Sequence, residues 1–360
     1  MGLVLGGLGL AGLAGYIYLD RNPSAKAAIE ADKKAAIERI ESVTHGAKAS
    51  LKERTDSAKA SANELIGRAV DKVEEKKDAV KSLGNEKAAS GEAGLAIIGA
   101  LIKDSWTDFK LEKVEPYNHN TAIYTFSFPS EDATAGGNVA SALLVRSSDA
   151  KELLDDKGKP VIRPYTAITG PETKGHLKLM VKEYPTGKMS KHIADLKIGD
   201  TLAFKGPIQK FPYKANEFDH GVCVSGGSGI TPMYQLITHA MDLKDDKTKF
   251  TLIFSNVTDK DILLRKEWDE LVKANPDRLK VVYALDKAPY FWKGETGFIT
   301  KDIISKYAPK ADGAEKVKIF VCGPPGQVKS VSGPKDGPRQ GEVGGILKEL
   351  SYNADQVFKF

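Results

Sequence analysis

Arg163-Pro164-Tyr165-Thr166 places a permanent cation, an aromatic ring and a hydroxyl on four consecutive residues. An arginine can hold a phosphate through two parallel N–H donors. On an extended strand Tyr165 and Thr166 face opposite ways, giving a ring on one side and a hydroxyl on the other. Further on, Gly187-Lys188-Met189-Ser190 opens an expected helix through His192, Ile193 and Leu196, whose first amides can receive a phosphate. Ser190 has a second reading, as a plain N-cap residue. Gly226-Gly227-Ser228-Gly229-Ile230-Thr231-Pro232 follows an apolar run, and its missing side chains let backbone amides approach a pyrophosphate, although a tight turn alone also accounts for the glycines. Cys322-Gly323-Pro324-Pro325 ends another apolar run. Each motif is weak alone. The four in this order describe a flavin site followed by a nicotinamide site, so the chain reads as a two-cofactor electron-transfer protein.

The elements that must position these residues are of two kinds. From about Phe109, short alternating runs such as Ile123–Phe128, Ala142–Val145 and Leu177–Lys182, broken by Gly, Pro and Asp, predict a small antiparallel barrel. Beyond Phe218 the pattern becomes apolar strand, glycine turn and helix, repeated. Strands are expected at Gly221–Val224, Thr251–Phe254, Val281–Leu285 and Ile319–Cys322, with helices over Met233–Met241, Ile262–Val272 and Val343–Leu350. That alternation predicts a parallel sheet covered on both faces, with ligands at the carboxyl ends of its strands. The fold class is therefore an α+β and α/β two-domain protein: an antiparallel β-barrel domain over 105–216 carrying the flavin motifs, then a doubly wound parallel-sheet domain over 217–360 carrying the nicotinamide motifs.

The first third of the chain differs from this. Gly2–Leu19 is an uncharged run of 18 residues followed by Asp20-Arg21-Asn22-Pro23, long enough for a helix to cross a bilayer. Residues 1–22 are read as a membrane anchor, with a cleaved signal sequence and a loose apolar tail as the competing readings. Residues 24 to 105 contain no Phe, Tyr, Trp or Pro. Their Ala, Lys and Glu, with a narrow apolar stripe, predict an amphipathic helical spacer over 23–104, against the alternative of a coiled-coil interface. All packed structure is expected beyond Ser105, with Leu95–Ile102, a second apolar stretch too short to span a bilayer, read as a candidate to pack on the globular part.

Composition narrows the function classes. Cys223 and Cys322 lie in separate apolar runs, which supports neither a disulfide framework nor a zinc site. Between Arg163 and Lys214 ten Lys or Arg stand against four Asp or Glu, enough to steer an acidic macromolecule, or simply a solvated lysine-rich face. Basic tracts interleaved with stacking aromatics are absent, so no nucleic acid is expected as a partner.

From Arg163 to Ser190, with Ile198-Gly199-Asp200 and Gly206-Pro207 after it, the chain resembles the flavin domain of the NADH cytochrome b5 reductases, within the ferredoxin reductase-like flavoproteins. The resemblance continues through Gly226–Pro232 and Cys322–Pro325 to the aromatic terminus Val357-Phe358-Lys359-Phe360 and covers about Asp108 to Phe360. It is strongest towards fungal mitochondrial members, through Gly323–Val328 and Ser332–Gly337. It implies that Arg163, Pro164, Tyr165 and Thr166 hold the flavin and its phosphates, with Met180 and Lys182 on the next strand, and that Gly187, Lys188, Met189 and Ser190 cradle the pyrophosphate. Gly226, Gly227 and Gly229 would serve both cofactors, Thr231 would sit beside the flavin ring, and Cys322, Gly323 and Pro324 would lie near the nicotinamide. Thr231 and Cys322 are the residues implied at the reacting centre, Cys322 by packing or positioning rather than as a nucleophile. Asp286, just after Val281–Leu285, resembles the position beside the adenosine ribose, where a carboxylate accepts from a 2′-hydroxyl and repels a 2′-phosphate, favouring NADH. The chain departs from the family at Ala167, where proline is usual, and at Thr169, where serine is common.

Together these expectations describe a membrane-tethered flavoprotein that moves hydride from NADH to FAD and single electrons to an acidic haem protein such as cytochrome b5. The alternatives are a quinone or other membrane acceptor, and a membrane spacer with a vestigial reductase domain. The resemblance tilts the compartment to mitochondria and their outer membrane, and the missing basic presequence leaves the endoplasmic reticulum open.

Overall fold

The early strands close a barrel around one buried apolar cluster. The computed structural model describes residues 99–360. There β1 (Thr107–Asn118), β2 (Thr121–Ser127), β3 (Ser141–Ser147), β4 (Arg163–Tyr165), β5 (His176–Lys182) and β6 (Thr201–Gln209) form an antiparallel sheet in the order β4-β3-β6-β1-β2-β5. Just past β4, Ile168 N donates to Lys178 O at 2.9 Å, so the chain leaving one edge strand bonds to β5 at the other edge. Phe109, Phe126, Phe204, Leu177 and Leu179 fill the interior, with Phe126 and Phe204 edge to face at 5.1 Å. The helix α1 (Lys188–Asp195) closes one end, burying Met189 and Ile193.

The second half is a parallel sheet. Strands β7 (His220–Gly226), β8 (Lys249–Asn256), β9 (Leu279–Leu285), β10 (Glu295–Thr296), β11 (Val317–Cys322) and β12 (Val357–Lys359) lie in the order β10-β9-β8-β7-β11-β12. Every pairing in it is parallel. The helices are α2 (Ile230–Asp242), α3 (Arg265–Ala274), α4 (Lys301–Tyr307), α5 (Pro325–Ser332) and α6 (Gly345–Glu349). Both sheet faces are covered, one by a cluster holding Phe250, Phe254 and Trp268, the other by one holding Val222, Ile253 and Ile304. Chain order reverses between β7 and β11, so the crevice there is the natural ligand position of such a sheet.

Three expectations change. Leu101 is buried in the barrel core and Ala100 N donates to Thr134 O at 2.7 Å, so packed structure begins before Ser105. The helix expected from Ile262 starts at Arg265, because Ile262, Leu263 and Leu264 are spent on the core and Leu264 turns the chain at φ 57°. The helix expected over Val343–Leu350 is only Gly345–Glu349, entered through a left-handed Gly345. The anchor expected over 1–22, and the spacer over 23–104 as far as residue 98, lie outside the described residues. Among the described residues no helix is long and apolar enough to cross a membrane.

One buried amide joins the halves. Gln235 on α2 accepts from Ala140 N at 2.7 Å and donates to Ala167 O at 3.3 Å and Thr169 O at 3.4 Å. Gln235→Leu keeps the volume but leaves the Ala140 N–H without its partner, and is expected to cost about 2 kcal/mol. A fall in the urea midpoint at constant slope checks this; an unchanged midpoint would show that the bridge carries no stability.

Candidate functional site

The four motifs converge on two adjoining cavities. A cavity of about 880 Å³ is lined by Arg163, Pro164, Tyr165 and Thr166 from β4 and its exit, and by Met180 and Lys182 from β5. Gly187, Lys188, Met189 and Ser190 from the start of α1 add a second wall. Gly229 and Thr231 beyond β7, and Cys322, Gly323 and Pro324 at the end of β11, complete it. A second cavity of about 500 Å³ is lined by Gly226, Gly227 and Asp286 among others. Lys182, Tyr184 and Pro324 line both. Every candidate residue therefore lines one cavity or the other.

At α1 the chain leaves its first amides free. Gly187 is the N-cap, and no side chain accepts from the helix. Ser190 is not the cap: its hydroxyl accepts from Tyr184 N at 3.2 Å and donates to Gly187 O at 3.1 Å, which fixes the loop before the helix. Free amides and the positive helix end make this a fit for a phosphate. Cationic side chains gather on the same cavity, with Arg163, Lys182, Lys188, Lys210 and Lys335 against Asp155 and Asp156. Lys188 reaches Asp156 at 2.7 Å. Tyr165 and Thr166, expected on opposite faces, both line this cavity, because β4 ends at Tyr165 and strict alternation ends with it. Burial pushes the Tyr165 phenol up to about 12, so it stays protonated.

The crevice between β7 and β11 depends on a missing side chain. A Cβ on Gly229 would stand 2.6 Å from the Cys322 carbonyl and 2.7 Å from Gly323 N, closer than packed atoms allow. Gly227, at φ 52°, begins the single 3₁₀ turn that leads into α2. Within α2 the Thr231 hydroxyl lies 3.5 Å from Ser228 O. Burial, opposed by the Lys335 charge, pushes the Cys322 thiol up to about 12. A neutral thiol is a poor nucleophile, in keeping with a packing or positioning residue.

Lys182 has a role that its strand position did not suggest. Its ammonium lies 3.2 Å from Asp261 of the other half, and both side chains are largely buried. Burial works to raise the Asp261 pKa, but hydrogen bonds from Thr258 and Lys182 outweigh it and hold the carboxyl below its ordinary value. The cation thus stands, already oriented, in the wall between the cavities.

Polar groups around the smaller cavity await a partner. The Ser255 hydroxyl lies 3.1 Å from Ser225 O and 2.9 Å from Gln327 Oε1. Ser225 Oγ, Gln327 Nε2 and both amide atoms of Asn256 are buried with no hydrogen-bond partner. Asp286 is exposed at the rim. This donor and acceptor set suits the hydroxyls and phosphates of a dinucleotide. Tyr184, Asn256, Gln327, Lys335 and Phe360 line the cavities and were not singled out from the sequence. Tyr184 was within reach, two residues beyond Lys182 and hence on the same side of an extended chain. Lys335 and Phe360 arrive from a loop and a terminus, for which spacing gives no signal.

Known proteins with this arrangement agree with it. The model of the oxidoreductase FAD-binding domain matches residues 108–213, and that of the oxidoreductase NAD-binding domain matches 223–333. NADH-cytochrome b5 reductase 2 of Mycosarcoma maydis is 50% identical over 264 residues, spanning 73% of this chain and 74% of the relative. The protein of the same name from Yarrowia lipolytica is 47% identical over 258 residues, 71% and 86% of the two chains. Among solved structures, the cytochrome b5 reductase domain of Ulva prolifera nitrate reductase superposes with a TM-score of 0.62 at 26% identity, covering 73% of this chain and all of that domain. The parallel sheet with its glycine crevice, the barrel with its uncapped helix and these relatives together make this chain a member of the NADH-cytochrome b5 reductase family, a flavoprotein oxidoreductase of FAD and NADH.

Proposed function

We propose that the chain is a membrane-tethered reductase that draws electrons from NADH and delivers them to an acidic haem protein of the cytochrome b5 kind. The relatives' printed name supports the acceptor, and the uncharged run Gly2–Leu19 supports the tether. The observation that carries the reading is the wall of Lys182, Tyr184 and Pro324 common to both cavities. Two ligands in adjoining cavities, with Thr231 and Cys322 lining the same larger one, can bring their reacting rings together there without diffusing, which is what hydride transfer between them requires. FAD, when bound, supplies the conversion of one two-electron donor into two single-electron deliveries.

The residues divide the remaining work. Arg163 and the amides of Lys188, Met189 and Ser190 hold the flavin pyrophosphate, Tyr165 and Thr166 orient the flavin, and buried Met180 excludes water from the cavity. Gly226, Gly227 and Gly229 let the backbone close on both ligands, and Thr231 lies on the flavin side. Cys322, Gly323 and Pro324 position the nicotinamide, and Asp286 accepts from the adenosine ribose. Hydride transfer needs no general acid or base, so the absence of a histidine and carboxylate constellation from this residue set is no obstacle. The lysines around the larger cavity give an acidic acceptor its docking field. Mitochondrial outer-membrane residence is the compartment we favour, on the strength of the resemblance to fungal mitochondrial members at Gly323–Val328 and Ser332–Gly337 and of the apolar run.

The purified protein is expected to be yellow and to bleach on adding NADH without oxygen, and far less with NADPH. A colourless protein that stays inert with added FAD would sink the proposal. Asp286→Ser is expected to shift the NADH over NADPH preference in kcat/KM by about tenfold or more, through loss of charge repulsion towards a 2′-phosphate. An unchanged ratio would remove Asp286 from the ribose site. Turnover with cytochrome b5 is expected to fall about tenfold as ionic strength rises from about 0.01 M to about 0.15 M, where the screening length shrinks from about 30 Å to about 8 Å. Ferricyanide, small and without a docking face, supplies the control, and a salt-independent cytochrome rate would refute electrostatic docking.

A further inference from the structure

The loop from β9 to β10 carries an aromatic tip that neither cavity uses. Trp292 N donates to Pro289 O at 2.9 Å, which makes Pro289–Trp292 a tight turn with Tyr290 and Phe291 at its two corners. Those corners ordinarily hold Gly, Pro, Asn, Asp or Ser, whose backbone freedom or short polar side chains fit the turn itself. Here Tyr290 is 94% exposed and Phe291 87%. Their rings already pack edge to face at 5.0 Å, forming one wedge. Neither residue lines a cavity, whereas Asp286 at the root of the same loop does, so the tip is not a cover for the nucleotide.

The root is fixed where the tip is bare. Trp292 Nε1 donates to Glu295 O at 2.9 Å, and the Arg265 guanidinium lies 5.8 Å over the Trp292 ring. Lys287 N donates to Val257 O at 2.8 Å. Lys287 and Lys293, both exposed, flank the wedge in sequence, one before Tyr290 and one after Phe291. Two bare aromatic rings between two lysines on a fixed base match the boundary of an anionic bilayer, where rings enter the headgroup layer and ammonium groups meet lipid phosphates.

We propose that Tyr290 and Phe291 insert into the surface of an anionic membrane, with Lys287 and Lys293 on its headgroups. The proposal rests on the tethering reading in that a chain held at a bilayer by Gly2–Leu19 would use the tip as a second contact. A second contact raises avidity and restricts how the globular part turns over the membrane.

The test uses the full chain carrying Phe291→Cys, labelled with a polarity-sensitive fluorophore. Cys223 is buried and Cys322 is held neutral, so the new thiol reacts first. Vesicles are phosphatidylcholine, with and without phosphatidylserine. Flotation with neutral vesicles reports the tether, and the fluorophore reports the tip. Expected is a blue shift with phosphatidylserine, quenched by brominated acyl chains and cut at least fivefold in amplitude by Lys287→Glu with Lys293→Glu. Unlabelled Tyr290→Ser with Phe291→Ser should retain NADH-ferricyanide turnover, which verifies its fold. A chain that floats with its fluorophore still in water overturns the tip and leaves the tether standing. A shift produced by soluble cytochrome b5, with none from vesicles, overturns the lipid assignment in favour of a protein contact. Flotation that needs both phosphatidylserine and the intact tip supports the proposal while removing the tether.

Discussion

The active arrangement depends on the Gln235 carboxamide, because neither half has a complete site. Its oxygen takes the N–H of Ala140 and its nitrogen reaches the carbonyls of Ala167 and Thr169, so one side chain on the first helix of the parallel half satisfies three backbone groups of the barrel. Both carbonyls follow Tyr165 and Thr166 within a few residues. The strand that lines the larger cavity is thus held by the helix that begins at the glycine crevice. A buried amide left without partners would cost more than it returns when paired, and this asymmetry penalises sliding between the halves.

The Lys182–Asp261 pair adds orientation to that attachment. A buried ion pair contributes little net stability against an apolar isostere, since removing two charges from water offsets most of their attraction. Its effect here is geometric. Asp261 is held by the backbone and hydroxyl of Thr258, so its carboxylate is fixed before Lys182 reaches it. A lysine from the barrel is thereby presented to the nucleotide half at a set position. Tyr117 and Asn118 reinforce the same seam, through hydrogen bonds to the Arg265 amide and the Lys260 carbonyl.

Most of the site was legible because its chemistry is carried by short contiguous runs. Arg163–Thr166, Gly187–Ser190, Gly226–Thr231 and Cys322–Pro324 each sit at the end of one element, and the end of an element is where glycine, proline and capping residues leave a signal. Strands β2, β3 and β5 of the barrel and the four longer strands of the parallel sheet were legible for the same reason, as apolar runs of the right period. What escaped is non-local. Leu101 enters the barrel core from a short apolar stretch with no strand pattern, and its seat is set by the neighbouring bond from Ala100 N to Thr134 O. Strand β12 is only Val357–Lys359, and its place beside β11 is set by pairing rather than by propensity. The Lys182 partnership joins residues far apart in the chain, and no periodicity encodes it.

The glycine crevice shows why positions legible in sequence are also ones that line the cavities. Gly229 lies where a Cβ would collide with the carbonyl of Cys322, so the β7 turn and the end of β11 can approach only without a side chain. That approach brings Thr231 and Cys322 to one cavity and buries the thiol enough to keep it neutral. On the proposed reading, a reacting centre for hydride gains from such surroundings, since a charged nucleophile beside an electrophilic ring would invite addition in place of transfer. The close contact that forces glycine into the sequence therefore also removes the competing chemistry, and one steric constraint serves fold and reaction together.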